Sequence, residues 1–119
     1  MSEAPGKPRF FRAVMTVSFI QRTFSVDGDE VTCRFFSPEP EDGGDFLCWY
    51  EIGWPEGSRT FRARGIDAVQ ALLLAMQMAH ADLLSERERH GRQVLWLDQR
   101  SLGLPIANSI RDLDPDGGF

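Results

Sequence analysis

Apolar and polar residues alternate with a period of two along the first half of the chain, and the period then lengthens to that of a helix. The first run, "FFRAVMTVSFI" at 10 to 20, is rich in β-branched and aromatic residues, and as a strand it sets Ala13, Met15, Val17 and Phe19 on one face. "VDGDE" follows with a turn through Asp27 and Gly28. In "EVTCRFFS", Val31, Cys33 and Phe35 alternate with Thr32, Arg34 and Phe36, and Pro38 ends the run. The stretch "PEPEDGGD" reads as a solvated acidic loop. Next, "FLCWYEIG" places Phe46, Cys48, Tyr50 and Ile52 opposite Leu47, Trp49 and Glu51, and "WPEG" turns the chain with Pro55 at a suitable position. "SRTFRAR" then opposes Phe61 and Ala63 to Thr60, Arg62 and Arg64. Four such runs joined by turn chemistry predict an antiparallel meander.

The stretch "GIDAVQALLLAMQMAHADLL", at 65 to 84, predicts a long helix. Asp67 is its N-cap, Gln70 the capping-box partner, and Ile66 a staple residue positioned to pack on Ala71. Arginines near 87 and 89 suit the C-terminal end of the dipole, and Gly91 supplies a stop. At 100° per residue, Val69, Leu72, Leu73, Met76, Ala79, His80 and Leu83 form a broad stripe assigned to the sheet. Ala71, Leu74, Ala75 and Met78 form a second apolar strip, so the helix is expected to be covered on two sides. Its second cover is either the C-terminal segment "QVLWLDQRSLGLPIANSI", with a short strand at 93 to 97, or a second subunit. The fold class is therefore α+β: a four-stranded antiparallel meander with one long helix on a face, in the order β-β-β-β-α, then a short strand or irregular segment. Residues 10–113 form the single domain, between a flexible lead-in at 1–9 and a flexible acidic tail at 114–119.

Charge narrows the functional classes. A formal net charge of −5 in 119 residues argues against phosphate backbones and anionic membranes as principal partners. The helix has an uncharged stretch of 14 residues, 68 to 81, short of the roughly 20 that a bilayer requires. Two cysteines are too few for a disulfide scaffold, and "MSEAPGKPRF" lacks a secretory apolar region, which places the protein in the cytoplasm with reduced thiols.

The helix start "GIDAVQALLLAM" at 65 to 76, the Cys-bearing strand before it, "LWL" at 95 to 97 and "LGLP" at 102 to 105 together resemble an uncharacterised bacterial family of small proteins. That family has a Gly-Ile/Val-Asp and Gln-Ala-Leu helix start, then a Trp, then Leu-Gly-x-Pro. The resemblance covers roughly the second half of the chain. It implies a bacterial soluble protein of this size and brings no activity, cofactor or catalytic residue with it.

No motif in the chain specifies chemistry. Cys33, Cys48, His80 and His90 have the elements of a zinc set but not its spacing, and the thiols share apolar strand faces. Cys48, His80 and Asp82 fail as a nucleophilic set because Asp82 lies two residues from His80 and points to another helix face. "DGGD" follows no strand-to-helix phosphate loop and is flanked by acids. No catalytic residue, metal or cofactor is assigned. The surface most suited to binding is the sheet face away from the helix, with Arg34, Phe36, Leu47, Trp49, Arg62 and Arg64, joined by Thr16 and Ser18. Aromatic and arginine side chains are enriched at protein hot spots. The expectation is a non-catalytic interaction protein, a homodimer that also binds a protein partner, using this face or the helix strip of Ala71, Leu74, Ala75 and Met78. The alternative is a binder of single-stranded RNA or a small ligand on the same sheet face.

Overall fold

A computed structural model describes residues 18–107, 110 and 113. The strands are β1 (Ile20–Val26), β2 (Asp29–Phe35), β3 (Glu39–Pro40), β4 (Phe46–Trp54), β5 (Gly57–Gly65) and β6 (Val94–Leu95); the helix α1 (Ala68–His90) precedes β6. All the pairings are antiparallel, and they run β5-β4-β2-β1-β6. β3 pairs with the first two residues of β4, on the edge that β2 occupies farther along. The expected meander is present, with two short strands added. One of these, β3, lies in the segment read as a solvated loop, and the other falls within the short strand expected at 93 to 97.

The first described strand, Ile20–Val26, begins where the run expected at 10 to 20 ends and continues to the turn at Asp27. Residues 10–17, like the expected flexible ends 1–9 and 114–119, lie outside the described residues. Only Phe24 and Val26 of β1 are buried, so its first residues carry no apolar alternation to mark them. The β1–β2 turn has positive φ at both central positions, 52° at Asp27 and 88° at Gly28, as a type I′ hairpin requires.

Alternation puts one set of side chains under the helix. Phe24, Val26, Val31, Cys33, Phe35, Cys48, Tyr50, Ile52, Trp54 and Ala63 are buried together, and the register stacks them in cross-strand pairs such as Phe24 on Val31 and Cys48 on Ala63. The helix starts with a reciprocal capping box: Asp67 Oδ1 accepts from the Gln70 amide at 2.8 Å, and Gln70 Oε1 accepts from the Ile66 amide at 2.7 Å. It ends at Gly91, which has φ 63° and donates its N–H to the Glu86 carbonyl. Ile66 is 75% exposed and does not form the expected staple.

The helix is rotated relative to the expected stripe. Ala71, Ala75, Ala79 and Leu83 are fully buried, whereas Val69 is 75% and Leu73 42% exposed. The reason is steric. Gly65, at the end of β5, meets the first turn so closely that a Cβ there would collide with the Ala71 amide nitrogen and lie 2.8 Å from its Cα. Such an approach admits a row of alanines spaced at i, i+4 and i+8, and it sends the long apolar side chains to the flanks.

The C-terminal segment covers one of those flanks, beside Met76 and His80, whereas Met78 of the expected second strip stays 38% exposed. Leu102, Leu104 and Ile106 are buried, and His80 Nδ1 lies 3.0 Å from the Pro105 carbonyl. Arg22 fastens the segment to β1 by donating Nη1 hydrogen bonds to the carbonyls of Leu102 (3.1 Å) and Gly103 (2.8 Å), while its guanidinium stacks 3.7 Å above the Trp96 ring. Arg87 bridges the helix end to the carbonyls of Val94 and Arg100. Among the described residues no helix is long and apolar enough to cross a membrane.

Burial pushes the Cys33 thiol up to about 12 and the Cys48 thiol up to about 11. Both are therefore neutral and enclosed, and neither is expected to react with a thiol reagent in the native protein at pH 7, whereas both label after denaturation. Native-state labelling at the rate of a free thiol would contradict this packing.

Candidate functional site

The face of the sheet turned away from the helix is assembled by cross-strand pairing. Trp49 lies opposite Arg62, Arg34 opposite Glu51, Leu47 opposite Arg64 and Thr23 opposite Thr32. The Arg62 guanidinium sits 5.3 Å from the Trp49 ring centre, a cation–π contact worth about 0.5–1 kcal/mol at an exposed position. Two ion pairs flank this stack. Arg34 Nη1 is 3.4 Å from Glu51 Oε1, while Arg64 pairs with Glu41 and lies 3.8 Å from Asp45. The Thr23 and Thr32 hydroxyls are 3.0 Å apart. The acidic loop between β2 and β4 thus supplies counter-ions to the arginine at the far end of the face.

The structure gathers Arg34, Trp49, Arg62 and Arg64 on this face, and it removes Phe36. That side chain is only 5% exposed, because it follows the end of β2 and the alternation stops where the chain bends before Pro38. Thr16 lies outside the described residues, and Ser18 precedes β1 as a half-buried residue. The expected helix strip is divided. Ala71 and Ala75 are fully buried against the sheet and present no surface. Leu74 and Met78 instead line a shallow groove of about 380 Å³ with Arg62, Arg64, Ala107 and Ile110.

The other candidates for chemistry stay apart. His80 is buried beneath the C-terminal segment at Pro105, and His90 pairs with Glu86 at 2.9 Å. Both cysteines are free, and no group of three metal-ligating side chains occurs among the described residues.

One polar pair is absent from the expected sites. Tyr50 donates a 2.7 Å hydrogen bond from its hydroxyl to Asp82 Oδ2, joining the middle of β4 to the helix. Burial raises the Asp82 carboxyl above the ordinary carboxylate range, and the Tyr50 hydrogen bond and the Arg59 charge oppose that shift. Burial also raises the Tyr50 hydroxyl, and the neighbouring Asp82 raises it further, so Tyr50 remains a donor. A sheet-facing stripe drawn through His80 turns Asp82 away from the sheet, whereas the buried row of Ala71, Ala75 and Ala79 brings it to Tyr50.

A family model described as a domain of unknown function (DUF6968) matches residues 20–106, from the first residue of β1 to the last buried residue of the C-terminal segment. The match agrees with the expected kinship to an uncharacterised family, and it spans both halves of the fold. No curated protein and no solved structure matches the chain.

Because the Asp82 carboxyl is raised in the folded state, its ionisation costs stability as pH climbs from the unfolded aspartate value through the folded one. Asp82→Asn keeps an acceptor for Tyr50 and is expected to melt higher than wild type at pH 7, with the gap narrowing as pH falls into the ordinary carboxylate range. A gap that widens on acidification would reverse the assignment. Tyr50→Phe leaves the carboxyl without its donor and is expected to cost about 1–3 kcal/mol in urea unfolding.

Proposed function

The chain belongs to the DUF6968 domain family, and from that premise we propose that it is a small non-catalytic interaction protein. It binds protein, a second copy of itself included, through the outer sheet face centred on Trp49 and Arg62. The observation that carries this reading is the pairing of the surrounding arginines: Arg34 is matched by Glu51, and Arg64 by Glu41 and Asp45. Guanidinium groups already matched by carboxylates attract phosphate weakly, and the chain as a whole carries −5. A tryptophan packed by an arginine and rimmed by ion pairs is instead the composition of a protein hot spot. Among the described residues, the helix and the buried part of the C-terminal segment pack on the opposite side of the sheet.

Self-association is the form of the proposal that needs no foreign partner to test. The setting we infer is the cytoplasm of a bacterium, in keeping with two free buried thiols and with the family resemblance. Single-stranded RNA on the same face is the competing reading, supported by the Trp49–Arg62 stack alone.

Light scattering behind size exclusion separates these readings. Wild type is expected at twice the 13.5 kDa chain mass, with little change between low and high salt. Trp49→Ala is expected to weaken the dimer by about 2 kcal/mol or more, enough to leave monomer at micromolar concentration. A monomer under all conditions would remove self-association. Oligonucleotide binding that collapses with salt and with Arg62→Ala would favour the RNA reading.

A further inference from the structure

Between the flank of α1 and the inner face of β5 lies a cavity of about 250 Å³, lined by Trp54, Arg59, Phe61, Asp82, Ser85 and Arg89 together with Glu86 and His90. It is separate from the outer sheet face, since Phe61 and Arg59 alternate with Thr60 and Arg62 along β5. The floor is aromatic, with the Phe61 ring centre 6.0 Å from that of Tyr50. Phe61 stands on the core side of its strand and is nevertheless 45% exposed, an aromatic surface that the helix does not cover.

The charges in the cavity divide into answered and unanswered groups. Glu86 is answered: it pairs with His90 at 2.9 Å and lies 3.5 Å from Arg92, which in turn bonds Glu56. Asp82 receives one neutral hydrogen bond, from Tyr50 to Oδ2. Its second oxygen, Oδ1, makes no hydrogen bond among the described residues. Neither Arg59 nor Arg89 forms an ion pair with a carboxylate among the described residues, although the Arg59 charge acts on Asp82 and Glu56 through space. One cleft therefore presents a half-buried acid, two arginines and an apolar ring.

We propose that this cleft binds a small zwitterion of the amino-acid class, with its amine on Asp82, its carboxylate on Arg59 and Arg89, and its side chain against Phe61. Each part of such a molecule has a counterpart in the cavity. A simple anion would meet Asp82 unfavourably, and a simple cation would meet the two arginines in the same way. A cleft of about 250 Å³ lies at the small end of ligand sites, which suits a free amino acid better than a peptide or nucleotide. Ser85, on the helix between Asp82 and Arg89, adds a hydroxyl that can serve either end of the ligand.

The test uses the full chain, thermal shift and calorimetry, with the twenty amino acids as probes and L-leucine compared with its two halves, 3-methylbutylamine and 4-methylpentanoate. At least one amino acid is expected to raise Tm saturably at concentrations up to about 10 mM. Its binding is expected to weaken about tenfold or more in Arg59→Ala and in Asp82→Asn, the latter retaining the acceptor for Tyr50 so that the fold is kept. Each half of leucine is expected to bind at least about tenfold more weakly than leucine itself. No saturable response to any amino acid, binding that survives both substitutions, or a carboxylate half that binds as tightly as the zwitterion would each overturn the proposal.

Discussion

The approach of the helix to the sheet at Gly65 is the contact on which the rest of the structure depends. Gly65 ends β5, and the first turn of α1 sits against it with no room for a Cβ beside Ala71. From that point the helix lies low over β4 and β5 on Ala71, Ala75 and Ala79, all fully buried. Small residues at this seam allow backbones to close together, and dispersion contacts then replace side-chain volume as the source of cohesion. The capping box formed by Asp67 and Gln70 fixes the same turn from the solvent side.

Along the alanine seam the larger side chains are displaced sideways, and the surfaces follow from where they go. Toward β1, Leu72 and Met76 join the core cluster beside Leu102, Leu104 and Ile106, held in place by Arg22 and His80. Toward β5, Asp82 turns to Tyr50, and its neighbours open into the cleft beside Phe61 and Arg59. The outer sheet face keeps its own economy of charge, in which three acids answer Arg34 and Arg64 and leave Trp49 with Arg62 at the centre. A chain with net negative charge thus carries a locally neutral arginine face, which is a protein-like surface in electrostatic terms.

Much of this was legible in the residues, and the failures have physical causes. Strict alternation located β2, β4 and β5, and cap chemistry located both ends of the helix, because those signals depend on neighbouring residues alone. Residues 20–23 of β1 escape the pattern because they are stabilised by pairing with β2 and carry no apolar period of their own. The helix stripe was turned because hydrophobicity ranks leucine above alanine, whereas the available gap selects alanine; no window along the chain contains the width of that gap. Continuing the alternation beyond the end of β2 points Phe36 outward, whereas the chain bends there and buries it. Of the sheet-face residues, Arg34, Trp49, Arg62 and Arg64 were identifiable from strand parity, whereas Asp82 and Tyr50 meet only across 32 residues of sequence.

The close seam makes the strongest claim about how this sequence specifies its surfaces, and a single substitution addresses it. At an unstrained site, glycine to alanine stabilises a protein by about 0.4–1 kcal/mol through the unfolded chain. Gly65→Ala, followed by urea unfolding, is predicted to do the opposite and cost about 1–3 kcal/mol, since the added methyl meets the backbone of Ala71 and not a flexible side chain. Unchanged or increased stability would show that the helix does not depend on that approach, and the placement of the flanking cleft and of the C-terminal cover would lose its explanation.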